Sequence, residues 1–285
     1  MIKYNKKQQI PLLNKYLFFM ENKMLKIVRI IIISSLLVIF SINQIQAKSN
    51  TDFIYPGEEL TYEVSFFGIK LGTIKMITEG YKVIDGHKTI LAKSLINSYN
   101  GIPFVDLHVI FQSWMSPHMS YSYQFVSNTK DSQGWYYEKI HFDYNNQKID
   151  IKGFRKKKIV KNKTINTKRK WVDGLSLFYI ARKLLYLNKN VSIPTLMDTD
   201  TVFTAIYFQA KKEQTEIDAV PYPVRTVYFK GNANWTGIYG MTGKFEGWFS
   251  DDYARIPIQA KMKLYVGSVN IELIKWKRKG WKPPK

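Results

Sequence analysis

Residues 171–187, WVDGLSLFYIARKLLYL, carry the one strong helix signal in a chain whose remainder reads as β-strand, and that contrast limits the fold more than any other feature. Leu175, Leu177, Phe178, Ile180, Ala181, Leu184, Leu185 and Leu187 spread an apolar arc around most of a helix. The strip left for water is Ser176, Tyr179, Lys183 and Tyr186, with Arg182 beside it. Asp173 stands at the N-cap, where a carboxylate accepts the free amide hydrogens of the first turn. A helix this apolar must be wrapped. The expected fold is therefore α+β, mostly antiparallel β, with a large curved sheet or partly closed barrel around one helix at about 173–187.

The wrapping is legible as alternation. Leu60, Tyr62, Val64 and Phe66 fall on one face of Glu59–Phe67, and Thr61, Glu63 and Ser65 on the other. Gly68 and Gly72 interrupt before Thr73–Thr78, and Asp85-Gly86 turns the chain into His87–Ile96. Strands are expected at 104–114, 120–127 and 135–144. After the helix they follow at 201–210, 214–219, 224–230, 243–249, 255–266 and 269–276.

The N-terminus has the parts of an export signal. Lys26 and Arg29 precede an apolar core from Ile30 to Phe40, and Ile45-Gln46-Ala47 offers a cleavage site. Residues 24–47 are expected to be a signal peptide and 1–23 an upstream extension. That leaves 48–285 as a single β-rich domain with a basic loop at 152–170 and a frayed basic tail at 277–285. Removing 1–47 takes away seven Lys/Arg and one acid, so the net charge of +21 becomes +15. Such a surface favours anionic partners, and export disfavours nucleic acid among them. The chain has no cysteine, which excludes disulfides, thiolate chemistry and cysteine metal sites.

Three stretches resemble one family together. They are Pro56-Gly57-Glu58-Glu59-Leu60-Thr61-Tyr62 with Gly68 and Leu71-Gly72, then Asp173-Gly174-Leu175-Ser176-Leu177-Phe178-Tyr179, then Trp248-Phe249-Ser250-Asp251-Asp252 with Arg255-Ile256-Pro257 and Gly267-Ser268. In this order they resemble the bacterial exported family known as domain of unknown function 3108. The resemblance implies an exported, envelope-associated protein and brings no activity with it. Its motif positions here are Asp173, Ser176, Trp248, Asp251, Asp252, Arg255 and Pro257. A helix inside a curved sheet also looks like the periplasmic lipoprotein carriers, an analogy of architecture alone.

Catalytic groupings are sparse. His87, His108, His118 and His141 have no metal-ligand spacing, and no metal or other cofactor is expected. Gly174-Leu175-Ser176-Leu177-Phe178 fails the nucleophile-elbow pattern at its last position. Asp251 and Asp252 are adjacent, so in extended chain they point apart and make a poor acid pair. A turn built by Ser250-Asp251-Asp252, with Asp252 paired to Arg255, is the better reading. Lys152–Lys170 holds ten basic residues and no acid. Its centre, Arg155, Lys156, Lys157 and Lys158, is either an anion-binding arm or a solvated hairpin tip.

The function expected from these features is non-enzymatic: binding or carrying an amphipathic, lipid-like molecule in the periplasm or cell envelope. Leu177, Phe178, Ala181, Leu184 and Leu185 are the candidate ligand-binding residues. Anionic lipid or lipopolysaccharide is the expected partner class, with peripheral membrane contact. The alternatives are a structural or interaction protein of the outer envelope, an outer-membrane barrel, and an unrecognised hydrolase.

Overall fold

In the computed structural model of the chain, residues 53–102, 106–235, 243–264 and 267–285 are described. The expected extension and signal peptide lie outside them. The first eight strands are β1 (Glu58–Phe66), β2 (Ile69–Ile84), β3 (His87–Ser98), β4 (His108–Met115), β5 (Ser122–Asp131), β6 (Gly134–Asp143), β7 (Lys148–Arg155) and β8 (Lys158–Asn166). Helix α1 (Ser176–Leu184) follows. Then come β9 (Asn190–Met197), β10 (Asp200–Thr215), β11 (Val224–Ala233), β12 (Gly243–Ser250), β13 (Pro257–Lys263) and β14 (Ser268–Lys277). Both groups are antiparallel meanders. They join where β1 pairs with β14, giving one 14-stranded sheet with β8 and β9 at its edges.

A sheet this wide must curl. Its edges are not joined by a strand ladder, yet they come close. Lys161 on β8 bonds both Glu138 and Asp198, and Lys163 reaches the Thr199 carbonyl. Between the edges runs the lead-in to the helix: Val172 donates to Pro194 and accepts from Leu196, while Trp171 accepts from the Ser122 amide. A small second core of Ile140, Phe142, Ile149, Ile151, Trp171 and Leu196 seals that side.

The alternation in β1 sorts the two faces. Leu60 and Tyr62 point inward with Met76, Ile90, Ala92 and Leu273 in the main core. The outward row carries ion pairs, Lys75–Glu59 at 2.7 Å and Lys93–Glu79 at 2.8 Å. Exposed pairs like these contribute little stability, but they mark the water-facing side. They are the reverse of the apolar band that a membrane-spanning barrel turns to lipid.

Helix α1 is shorter than the expected 173–187, and its buried face is different. Ser176, Tyr179 and Arg182, expected in or beside the water strip, are buried, while Phe178, Leu187 and Tyr186 are exposed. The reason is that each buried polar group has a partner inside. The Tyr179 hydroxyl meets Thr78 Oγ1 at 2.9 Å. Ser176 joins Ser113 and Ser122 in donating to Asp173 Oδ2, at 2.7, 2.6 and 2.5 Å. Asp173 Oδ1 also accepts the Ser176 amide at 2.9 Å. Leu175 is the residue flanking the helix, so Asp173 serves the first turn from two positions earlier. At the other end, the Arg255 guanidinium donates to the carbonyls of Arg182 and Lys183, satisfying groups the last turn leaves open.

Arg182 is the most constrained of these. Its guanidinium takes both oxygens of Glu58, at 2.7 and 3.1 Å, and Arg278 takes Glu58 Oε2 at 2.5 Å. Arg182 also donates to the Ala254 carbonyl, and Arg278 to that of Phe53. All three charged residues are buried. The cluster ties the start of β1, the helix and the C-terminal segment to one point. Burial works against the Arg182 charge, but the Glu58 charge and hydrogen bonds outweigh it, so its pKa lies above the ordinary value.

Several expectations need correction. The stretch 152–170 is not a loop; most of it is the β7–β8 hairpin, whose lysine-rich outer residues hid two strands. Strand β9 was not expected either. The expected strands 201–210 and 214–219 are one, β10, which continues past an irregularity between Phe208 and Lys211 and stops at Thr215. The tail is not frayed. Trp281 is buried and donates to Asp252, the Pro284 carbonyl accepts from Arg225, and that of Pro283 accepts from Tyr222.

Two stability measurements check this account. Glu58→Leu leaves two buried guanidinium groups facing each other without an anion, and urea unfolding should register a loss of about 3–5 kcal/mol or more. Arg278→Met leaves Glu58 and Arg182 as a balanced pair and should cost less; the opposite order would contradict the cluster as described. Trp281→Ala should cost about 3–5 kcal/mol, whereas a frayed tail would give a change within about 0.5 kcal/mol.

Candidate functional site

Helix α1 covers only part of the sheet's inner face. Nine helical residues extend about 13.5 Å, while the nine residues of β1 extend about 30 Å. The helix lies toward the Glu58 end of β1, as its contacts with Glu58 and Thr78 require. Past Tyr62 the inner face continues through Val64 and Phe66 to a pocket of about 220 Å³. No residue of α1 lines it. Its walls come from β1, β2, β3, β14 and Leu264 after β13, and they are apolar: Val64, Phe66, Ile74, Ile96, Val269 and Ile271 supply most of them. Ile74 and Ile271 also pack against the main core, so the pocket is an unfilled extension of that core.

Gly72 helps to make the space. A Cβ there would lie 2.2 Å from the Asn97 carbonyl oxygen, so only glycine allows β2 and β3 to approach this closely. Tyr62 stands between the helix, which plugs one end of the sheet, and the pocket. Its buried hydroxyl has no hydrogen-bond partner among the described residues, and burial pushes its pKa well up. Tyr179, behind it on the helix, is pushed up to about 12 by burial, with the Thr78 hydrogen bond acting the other way. Both phenols stay neutral at physiological pH. A neutral, carbon-lined cavity of this size offers a place for part of an apolar chain and offers no reacting group.

The candidate ligand-binding residues do not converge on this pocket. Ala181 and Leu185 are buried in the main core, Leu177 and Leu184 pack against it, and Phe178 faces water. Of the candidate anion-binding residues, Arg155 is held by Asp131, which its two terminal nitrogens bracket. Lys156, Lys157 and Lys158 are exposed at the β7–β8 turn.

The motif residues are structural. Asp252 Oδ1 accepts from the Ser250 hydroxyl and from the amides of Ala254 and Arg255, closing the expected turn. The expected Asp252–Arg255 contact is thus made by the Arg255 backbone, while its side chain serves the helix end. Asp251 turns away to Tyr186 and Lys212. Trp248 donates to Glu213, and Pro257 pairs with Phe249. His87 and His141 line one cleft and His108 and His118 do not, and no group of three or more metal-ligating residues occurs among the described residues. That cleft, of about 240 Å³, is lined by His87, Tyr121, Tyr123, His141 and Lys170, among others; Lys170 Nζ sits 3.9 Å from the Tyr121 ring centre.

The pocket was missed because its walls are strand ends that read as ordinary core. The available signal was length: the inward row of β1 runs two residues beyond what a short helix covers.

No curated protein matches the chain. Among solved structures it is similar to the crystal structure of a β-barrel-like protein of domain of unknown function DUF1849 from Brucella abortus. The TM-score is 0.50 at 11% identity, covering 77% of this chain and 96% of that one. At that identity the likeness is one of fold. A family match begins inside β1, takes in the helix and every pocket-lining residue, and ends inside β14, with Glu58 and Arg278 of the buried cluster just outside it. On that match, over residues 61–274, the chain belongs to the family described as Protein of unknown function (DUF3108).

Proposed function

We propose that this protein binds the apolar portion of an amphipathic, lipid-like molecule and acts as a carrier or sink for it, without catalysis. The observation that carries the reading is the pocket of about 220 Å³ walled by Val64, Phe66, Ile74, Ile96, Val269 and Ile271. Filling it recovers dispersion contacts that the walls now lack. Its size is below the roughly 300–1,000 Å³ of sites that enclose a whole drug-sized ligand. It therefore suits one segment of an acyl chain, with the polar end left outside. The export signal read at 24–47 assigns this activity to the periplasm or envelope as part of the same proposal, and the basic surface favours an anionic headgroup.

The test is occupancy. cis-Parinaric acid, which fluoresces in apolar surroundings, should bind the wild type. Val64→Trp, which fills the pocket, should weaken binding at least tenfold while the melting temperature stays within a few degrees. Equal binding by the variant would contradict the pocket as the site. No binding by either protein would favour a structural role in the envelope.

A further inference from the structure

The strand registers put the pocket and the unused basic stretch at the same end of the sheet. Phe66 pairs with Ile69 and Val269, Gly72 with Ser98, and Asn97 with His108. Then His108 pairs with Lys130, Lys130 with Trp135, and Tyr136 with Arg155, which pairs with Lys158. The β1–β2, β5–β6, β7–β8 and β13–β14 turns thus share one rim, and the helix, Glu58 and the C-terminal segment lie toward the other.

That rim carries apolar side chains in water. Phe67 is 69% exposed and Ile69 is 59% exposed, in the turn that follows the pocket-lining Phe66. The Phe67 ring lies against Phe66, with centroids 4.5 Å apart, and against Gly267 of the β13–β14 turn. Ile159 and Val160 are exposed beside Lys156, Lys157 and Lys158. Those three lysines make no ion pair with an acid among the described residues, although the nearby Arg155 is neutralised by Asp131. Exposed large hydrophobics next to unpaired cations fit a surface that is apolar a few ångströms deep and negatively charged above, which is an anionic bilayer.

We infer that this rim docks on an anionic lipid bilayer. Phe67 and Ile69 enter the headgroup boundary, Lys156–Lys158 sit over the phosphates, and the pocket faces the membrane from which its ligand comes. This rests on the pocket reading above and adds the surface, the partner and the direction of loading.

The experiment is flotation of the full-length protein with vesicles of phosphatidylcholine alone or mixed with phosphatidylglycerol, alongside cis-parinaric acid binding without vesicles. The wild type should float with the anionic vesicles and be released by salt. Phe67→Ser/Ile69→Ser should weaken vesicle binding about tenfold. Lys156→Gln/Lys157→Gln/Lys158→Gln should weaken it roughly a hundredfold. Val83→Ser, which removes a 73% exposed side chain at the opposite end, should change nothing. All three variants should bind the free probe and melt as the wild type does. Failure of the wild type to float, or equal losses for Val83→Ser and the rim variants, would overturn the docking surface. If Val64→Trp leaves probe binding intact while the rim variants lose vesicles as predicted, docking stands and the pocket reading alone fails.

Discussion

A single buried carboxylate, Glu58, decides where the helix of this protein sits. Two guanidinium groups from opposite ends of the helix-to-tail sequence, Arg182 and Arg278, converge on it. The carbonyls of Phe53 and Ala254 take further donors, and Arg182 Nε is left buried without a hydrogen-bond partner among the described residues. Charges withdrawn from water are costly unless every partner is in place, so this cluster tolerates one arrangement of its parts. It is a poor candidate for a net source of stability and a good one for a register pin. With Arg182 fixed, the turn order of the helix puts Tyr179 on Thr78 and Ser176 on the Asp173 cluster, and the polar groups of the helix become its inner face.

The same constraint explains the empty end. A nine-residue helix pinned at Glu58 cannot also cover Val64 and Phe66. Among the described residues, the sheet beyond it is left with an inward apolar row that the helix does not cover. That row lines the pocket instead. Plug and pocket are consequences of one geometric mismatch between a short helix and longer strands. On the proposed reading, a ligand enters from the rim, because the helix and the docked tail lie toward the opposite end.

Much of the sheet was legible because β1 and β13 alternate apolar and polar residues, the pattern of a sheet with one wet face. The helix was legible too, but not its orientation. Arg182 and Tyr179 read as surface residues until a partner 124 positions away, Glu58, is known to be buried with Arg182. Strands β7 and β8 were obscured because an edge strand exposed to water collects lysines, and a lysine-rich segment reads as loop. The inward Ile149 and Ile151 were the sign that it was not. The tail was misread for a similar reason. Its Lys and Pro residues look solvated, and the one anchoring side chain, Trp281, has its partner Asp252 in a distant turn. The turn at Ser250–Asp252 was readable since its hydrogen bonds are local. The pocket was not readable, because it depends on how far the helix reaches along the strands.

The central claim is that the molecule has a fixed plug and a separate, fillable end. Amide hydrogen exchange with and without bound cis-parinaric acid tests it directly. Protection should rise at Val64, Ile74, Ile96 and Val269 and stay unchanged along Leu177–Leu184. Protection rising in the helix instead, or nowhere in the chain, would contradict the division between plug and pocket.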